Sequence, residues 1–147
     1  MPSAARELMG RFVQAMSDLD FPTLERLIHP EFVGEYPQSR ERFRGAAAFR
    51  AQFEQYPGGL PTGGADPENT MLLGDDDHWV ITPGYTVLPL AGPDRYTAVI
   101  RTRYPDGSTW HVISIVEIRD GLVARTTTYF APEFEPPEWR QDITERY

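Results

Sequence analysis

The sequence predicts an α+β domain in which three helices come first and an antiparallel β-sheet follows. Three observations carry this expectation. Apolar residues recur at three- and four-residue steps as far as Tyr56, they alternate with period two in short runs from Thr70 onward, and a glycine- and proline-rich break separates the two halves. A chain of 147 residues that is 40% hydrophobic is long enough to bury one substantial core. Residues 1–131 are read as that single domain, and 132–147 as a Pro-rich acidic tail packing on it.

The first helix spans Ser3 to Leu19, with Leu8, Met9, Phe12, Val13 and Met16 on one stripe. A shorter helix follows Asp20, with Pro22 in its first turn and Leu24, Leu27 and Ile28 on one side; Pro30 forbids its continuation. His29 at its end is expected to complement the helix dipole. The segment FVGEYPQS reads as extended, because Pro37 biases Tyr36 away from helical geometry. Gly45 opens a third helix carrying Phe49, Phe53 and Tyr56 on one face, stopped by Pro57, Gly58 and Gly59. The run from Pro57 to Asn69 is a lid candidate. Strands are then expected in TMLLG, HWVITPGYTVLPL with a bulge at Pro83-Gly84, RYTAVIRTRY, STWHVISIVEI and LVARTTTYF. Gly107 and Gly121 close the turns between the last three, which therefore form an antiparallel meander. The acidic tail is interrupted by Pro132, Pro136 and Pro137, with Trp139 and Ile143 as its expected anchors.

A formal charge of −8 disfavours nucleic acid as a partner, since phosphate recognition rests on clustered cations. The arginines between 40 and 50 are interrupted by Glu41 and read as a solvated helix entry. No stretch approaches the roughly 20 apolar residues of a membrane helix, and the N-terminus has no export-signal pattern, so no membrane and a cytoplasmic location are expected. The chain has no cysteine, which removes thiolate nucleophiles and Cys-based metal sites. No GxGxxG motif, P-loop or metal cluster is evident, so neither cofactor nor metal is expected; Asp75 to His78 reads as a solvated strand connection.

Two segments, RFVQAMSDLDFPTLERLIHPEFVGEYP and VEIRDGLVARTTTYF, resemble the nuclear transport factor 2-like superfamily and its SnoaL-like, polyketide cyclase-like members. The resemblance covers nearly the whole chain. It implies a cone, with three helices closing the mouth of a strongly curved mixed or antiparallel sheet around a small apolar pocket. It also implies where catalytic groups would sit. A gapless match to ketosteroid isomerases places Phe12 at their oxyanion-binding Tyr and Tyr36 at their Asp base. The Arg-x-Asp pair and second Asp of limonene epoxide hydrolase-like members fall on Thr97, Val99 and Thr128, and the closing-strand Asp of the cyclases is missing from RTTTYF. Those carboxylates are thus replaced by groups that cannot serve as bases near neutral pH.

The residues that remain define the candidate site. His111 is the first choice for moving a proton, since imidazole titrates near 6.5. Strand alternation puts it with Ile113, Ile115 and Glu117, opposite Trp110, Val112, Ser114, Val116 and Ile118, without deciding which face lines the cavity. Glu35 and Tyr36 are the other catalytic candidates, as base and carbonyl-orienting donor. Arg101, sharing a face with Arg103, would bind a carboxylate or enolate oxygen. Tyr85, Trp110, Thr128, Tyr129 and Phe12 are candidate pocket walls. The working function is a small-molecule pocket protein performing cofactor-free cyclisation, isomerisation or dehydration on a hydrophobic oxygenated ligand. The alternative is a non-catalytic ligand-binding or dimerisation module. A homodimer through the sheet is expected from the apolar row of Ile113 and Ile115.

Overall fold

The structure, a computed structural model, describes residues 3–60 and 92–147 together with the backbone of three short strands between them. Tyr85, His78, Asp75 to Asp77, the Pro83-Gly84 bulge and the lid candidate beyond Leu60 lie outside the described residues.

Helix α1 runs Ala4–Asp18 and is capped by Ser3, whose hydroxyl accepts the Arg6 N–H at 3.1 Å. It ends where Leu19 enters the left-handed region at φ 53°. Helix α2, Phe21–Leu27, starts from Asp20, whose carboxylate accepts the Thr23 N–H at 3.1 Å; hydrogen bonding from the Thr23 side chain, and then from this N–H, holds the Asp20 pKa below its usual value. Strand β1, Ile28–Tyr36, follows without a loop and is longer than the sequence suggests. Its register against β8 (Leu122–Pro132) shifts between Ile28 and Val33, the interval holding Pro30, which has no N–H to give the ladder.

His29 therefore belongs to a strand and not to a helix end. His29 is buried, only 8% exposed. The Glu31 N–H donates to Nδ1 at 3.0 Å, so Nε2 carries the proton and donates to Asp120 Oδ2 at 3.1 Å. The dipole role expected for it gives way to a bridge between β1 and the turn before β8.

The arginine cluster is also a strand. Glu41–Arg44 forms β2, antiparallel to β1, and helix α3, Gly45–Glu54, begins only at Gly45, whose φ is 80°. Strands β3 (Thr70–Leu73), β4 (Trp79–Val80), β5 (Leu88–Pro89), β6 (Arg95–Arg103) and β7 (Thr109–Arg119) complete the set. One sheet has the order β2-β1-β8-β7-β6-β3, and β4 pairs with β5 apart from it. The meander of β6, β7 and β8 is antiparallel as expected, with Asp120 and Gly121 both at positive φ in the tight β7–β8 turn. Parallel pairing of β1 with β8 makes the sheet mixed.

The helices cover one face of this sheet. Met9, Leu24, Phe32, Tyr96, Val116 and Val123 are essentially inaccessible at its centre. The Tyr96 hydroxyl lies 3.1 Å from the Ser3 hydroxyl, tying the start of α1 to β6. On the convex face, Val99, Ile113 and Tyr129 stand in one cross-strand row. Ile113 is 37% exposed, whereas Ile115 is buried, so only the first of the two isoleucines is open to solvent.

Beyond β8 the tail has a single 3₁₀ turn, Glu138–Arg140. Trp139 and Ile143, expected to anchor it, are each 75% exposed. The prolines block regular pairing. Glu133 ties the start of the tail to β6 and β7 through Arg101 and His111; farther on, Gln141 Nε2 donates to the Pro136 carbonyl at 3.2 Å, and Arg146 Nη1 lies 2.7 Å from Glu135. Among the described residues no helix is long and apolar enough to cross a membrane.

Candidate functional site

A cavity of about 320 Å³ lies between the helices and the concave face of β6, β7 and β8. That size is at the low end for small-molecule pockets, which suits a compact ligand. Its walls follow from strand alternation: Ala98, Ile100 and Thr102 on β6, Val112, Ser114 and Val116 on β7, and Thr126, Thr128 and Phe130 on β8. Helices α1 and α3 supply Met9, Phe12, Val13, Phe49 and Phe53.

The interior holds few polar atoms, and these are arranged in pairs. The hydroxyls of Ser114 and Thr128 bond across the β7–β8 ladder at 2.9 Å. The Tyr36 hydroxyl donates to Gln52 Oε1, and Gln52 Nε2 donates to the Ala48 carbonyl at 3.2 Å. Among the described residues no buried side-chain polar atom lacks a partner. Burial pushes the Tyr36 pKa up to about 12, with smaller contributions from nearby Tyr104 and Glu41. Burial, then the neighbouring Tyr56, does the same to Tyr104, also to about 12. Both phenols therefore stay neutral around pH 7 and act as hydrogen-bond donors rather than bases.

The mouth is aromatic. Tyr56 stacks on Tyr104 with centroids 5.5 Å apart, and Trp110 meets Tyr104 edge-on at 6.1 Å. Leu60 and Arg103 complete the described rim. At the end of β6, Thr102, Arg103 and Tyr104 in succession all border the opening, although Arg103 keeps the strand parity of Arg101.

The nine candidate residues divide by face. Phe12, Tyr36 and Thr128 line the cavity, and Trp110 backs its mouth through Tyr104. His111, Arg101, Glu35 and Tyr129 have the opposite strand parity and lie on the convex face. His111 Nε2 is 3.1 Å from Glu133 Oε1, and Arg101 Nε donates to the same oxygen at 2.6 Å. Glu35 is held by Arg125 and, at 3.5 Å, by Arg42. The structure thus does not bring His111 and Glu35 together with Tyr36. Tyr85 lies outside the described residues.

The epoxide hydrolase comparison shifts by one residue: Thr97 and Val99 share the convex parity, and Ala98 and Ile100 are the cavity-facing members of β6. Gln52, Phe43, Tyr56 and Tyr104 are site residues the sequence reading passed over. Gln52 carries a signal after all, as a lone amide between Phe49 and Phe53 on the apolar stripe of α3. Among the described residues no three potential metal ligands converge.

Residues 9–126 match the family model described as a SnoaL-like domain. The chain belongs to this family. Solved structures agree with the SnoaL-like assignment at the level of fold. An NTF2-like protein of unknown function from Burkholderia xenovorans LB400 superposes with a TM-score of 0.66 at 23% identity, covering 98% of this chain and 95% of that one. A protein provisionally named a ketosteroid isomerase, from Kribbella flavida DSM 17836, gives 0.65 at 19% identity, covering 98% and 90%. An LEH-like epoxide hydrolase from M. tuberculosis gives 0.53 at 16% identity, covering 86% and 82%. No curated protein matches the chain. These likenesses establish an NTF2-like α+β fold around the SnoaL-like domain and leave its chemistry to the cavity residues.

Proposed function

We propose that this SnoaL-like domain binds a compact, hydrophobic, oxygenated molecule in its cone and does no proton-transfer chemistry on it. One observation carries the reading: among the described residues that line the cavity there is no carboxylate and no imidazole. The chain also has neither cysteine nor lysine, which removes thiolate and Schiff-base catalysis. Proton abstraction at neutral pH needs a base whose pKa is matched to the task, and a phenol held near 12 is not one. The Tyr36 hydroxyl and the Ser114–Thr128 pair suit orientation of a carbonyl or hydroxyl instead.

The test uses 2-acetylnaphthalene, an enolisable ketone, in deuterated buffer. Saturable binding by calorimetry is expected, with deuterium entering the methyl group no faster than in buffer alone. Tyr36→Phe should weaken binding by roughly fivefold, the worth of one neutral hydrogen bond of about 1 kcal/mol. His111→Ala and Glu35→Gln should leave affinity unchanged. Protein-accelerated exchange abolished by any of the three substitutions would restore the enzymatic reading.

A second reading concerns assembly. The Val99, Ile113 and Tyr129 row on the convex face, with Ile113 37% exposed, supports the homodimer through the sheet. Sedimentation at micromolar concentration is expected to show twice the 16.7 kDa chain mass, and Ile113→Arg to return the protein to a single-chain species.

A further inference from the structure

Arg103 bears the sole formal charge among the described residues lining the cavity. Its guanidinium lies beside the β6–β7 turn, where a Cβ added at Gly107 would sit 3.9 Å from Nη2. Most other arginines of the sheet are engaged by acids: Arg42 and Arg125 share Glu35, Arg95 holds Glu117, Arg101 holds Glu133 and Arg119 holds Glu31. Arg103 has no carboxylate within ion-pair distance among the described residues. Asp106, its close neighbour in sequence, is folded into its own turn, accepting the Ser108 N–H at 2.8 Å and the Ser108 hydroxyl. Among the described residues no acid engages this guanidinium at the edge of the apolar chamber, which leaves its planar donor fork available to a ligand.

Building on the binding reading above, we propose that the ligand is a hydrophobic carboxylate, its apolar body in the cone and its acid group on Arg103. A guanidinium takes a carboxylate through two parallel N–H donors, which fixes orientation as well as charge. Tyr56 and Tyr104 flank the same opening, which holds no carboxylate among the described residues to oppose a bound acid. The chain's net charge of −8 does not forbid this. Exposed charges farther than about 8 Å are largely screened at physiological ionic strength, whereas a partner in contact with Arg103 is not.

The experiment compares 2-naphthoate with 2-naphthamide, which share size and shape and differ in charge, by calorimetry at pH 7. The wild type is expected to bind the acid roughly three- to tenfold more tightly than the amide, the range of a partly exposed charge-assisted pair. Arg103→Gln should erase that preference while keeping amide affinity, and Arg101→Gln, on the convex face, should retain it. Equal binding of both probes by the wild type, or a preference that survives Arg103→Gln, overturns the carboxylate proposal and leaves the pocket reading intact. Failure of both probes to bind overturns both.

Discussion

Phe49→Ala is expected to destabilise the domain by about 3–5 kcal/mol, the usual loss for a buried phenylalanine. Phe49 is the hub of the aromatic cluster between α3 and the sheet. Its ring lies 5.9 Å from Phe12, 5.8 Å from Phe32, 6.3 Å from Phe43 and 5.2 Å from Phe53. Each neighbour is held from another side, so the gap left by the ring closes only in part. Urea unfolding followed by circular dichroism measures the loss, and the melting temperature should fall by roughly 10 °C for a domain of this size. A change below about 1 kcal/mol would mean that α3 does not pack on the sheet as described. Phe49 also borders the cavity, so the variant should bind compact ligands more weakly through lost contact.

Gly34→Ala is the second large effect, about 2–3 kcal/mol, and its cause is the reverse, too much volume. Gly34 pairs with Phe43 across the β1–β2 ladder, and the Phe43 ring lies flat over it, where a Cβ would fall inside the ring's van der Waals envelope. The ring is not free to yield. Phe32 at 5.8 Å and Tyr36 at 5.2 Å hold it in place. In a Phe43→Ala background the same Gly34→Ala change should be close to neutral, so a double-mutant cycle should show strong coupling. Additive losses would show that the glycine serves some other need. Because Phe43 and Tyr36 both line the cavity, Gly34→Ala should also impair binding.

The sequence made the helices and the meander readable for local reasons: amphipathic spacing in Leu8, Met9 and Phe12, a proline stop after Leu27, and glycines at the turns of Asp106-Gly107 and Asp120-Gly121. It hid β2 and the first residues of β1, because Pro30 interrupts the pattern and Glu41–Arg44 is polar at three of four positions; β1 takes its strand state from distant β8, and β2 takes its own from β1. Of the site, Phe12, Tyr36 and Thr128 were legible. His111, Arg101, Glu35 and Tyr129 were not assignable to a face. The reason lies in β7: Ile115 on the convex side is as buried as cavity-side residues, and Thr97 beside it is only 3% exposed. When both faces of a strand are covered, hydrophobic alternation disappears and orientation must come from three-dimensional contacts. The expected tail anchors misled for the opposite reason. Large apolar side chains are ordinarily good evidence of burial, yet Trp139 and Ile143 are each 75% exposed.

The parallel register of β1 with β8 joins residues as far apart as Glu35 and Arg125, ninety positions along the chain. During synthesis β1 emerges early and finds no inner neighbour until the closing strand leaves the ribosome. The two early helices and their strand must therefore wait with an open edge, and closing so long a loop is the slow, entropically costly event of assembly. The chamber does not exist until β8 has docked against β1, so its walls form in one late step.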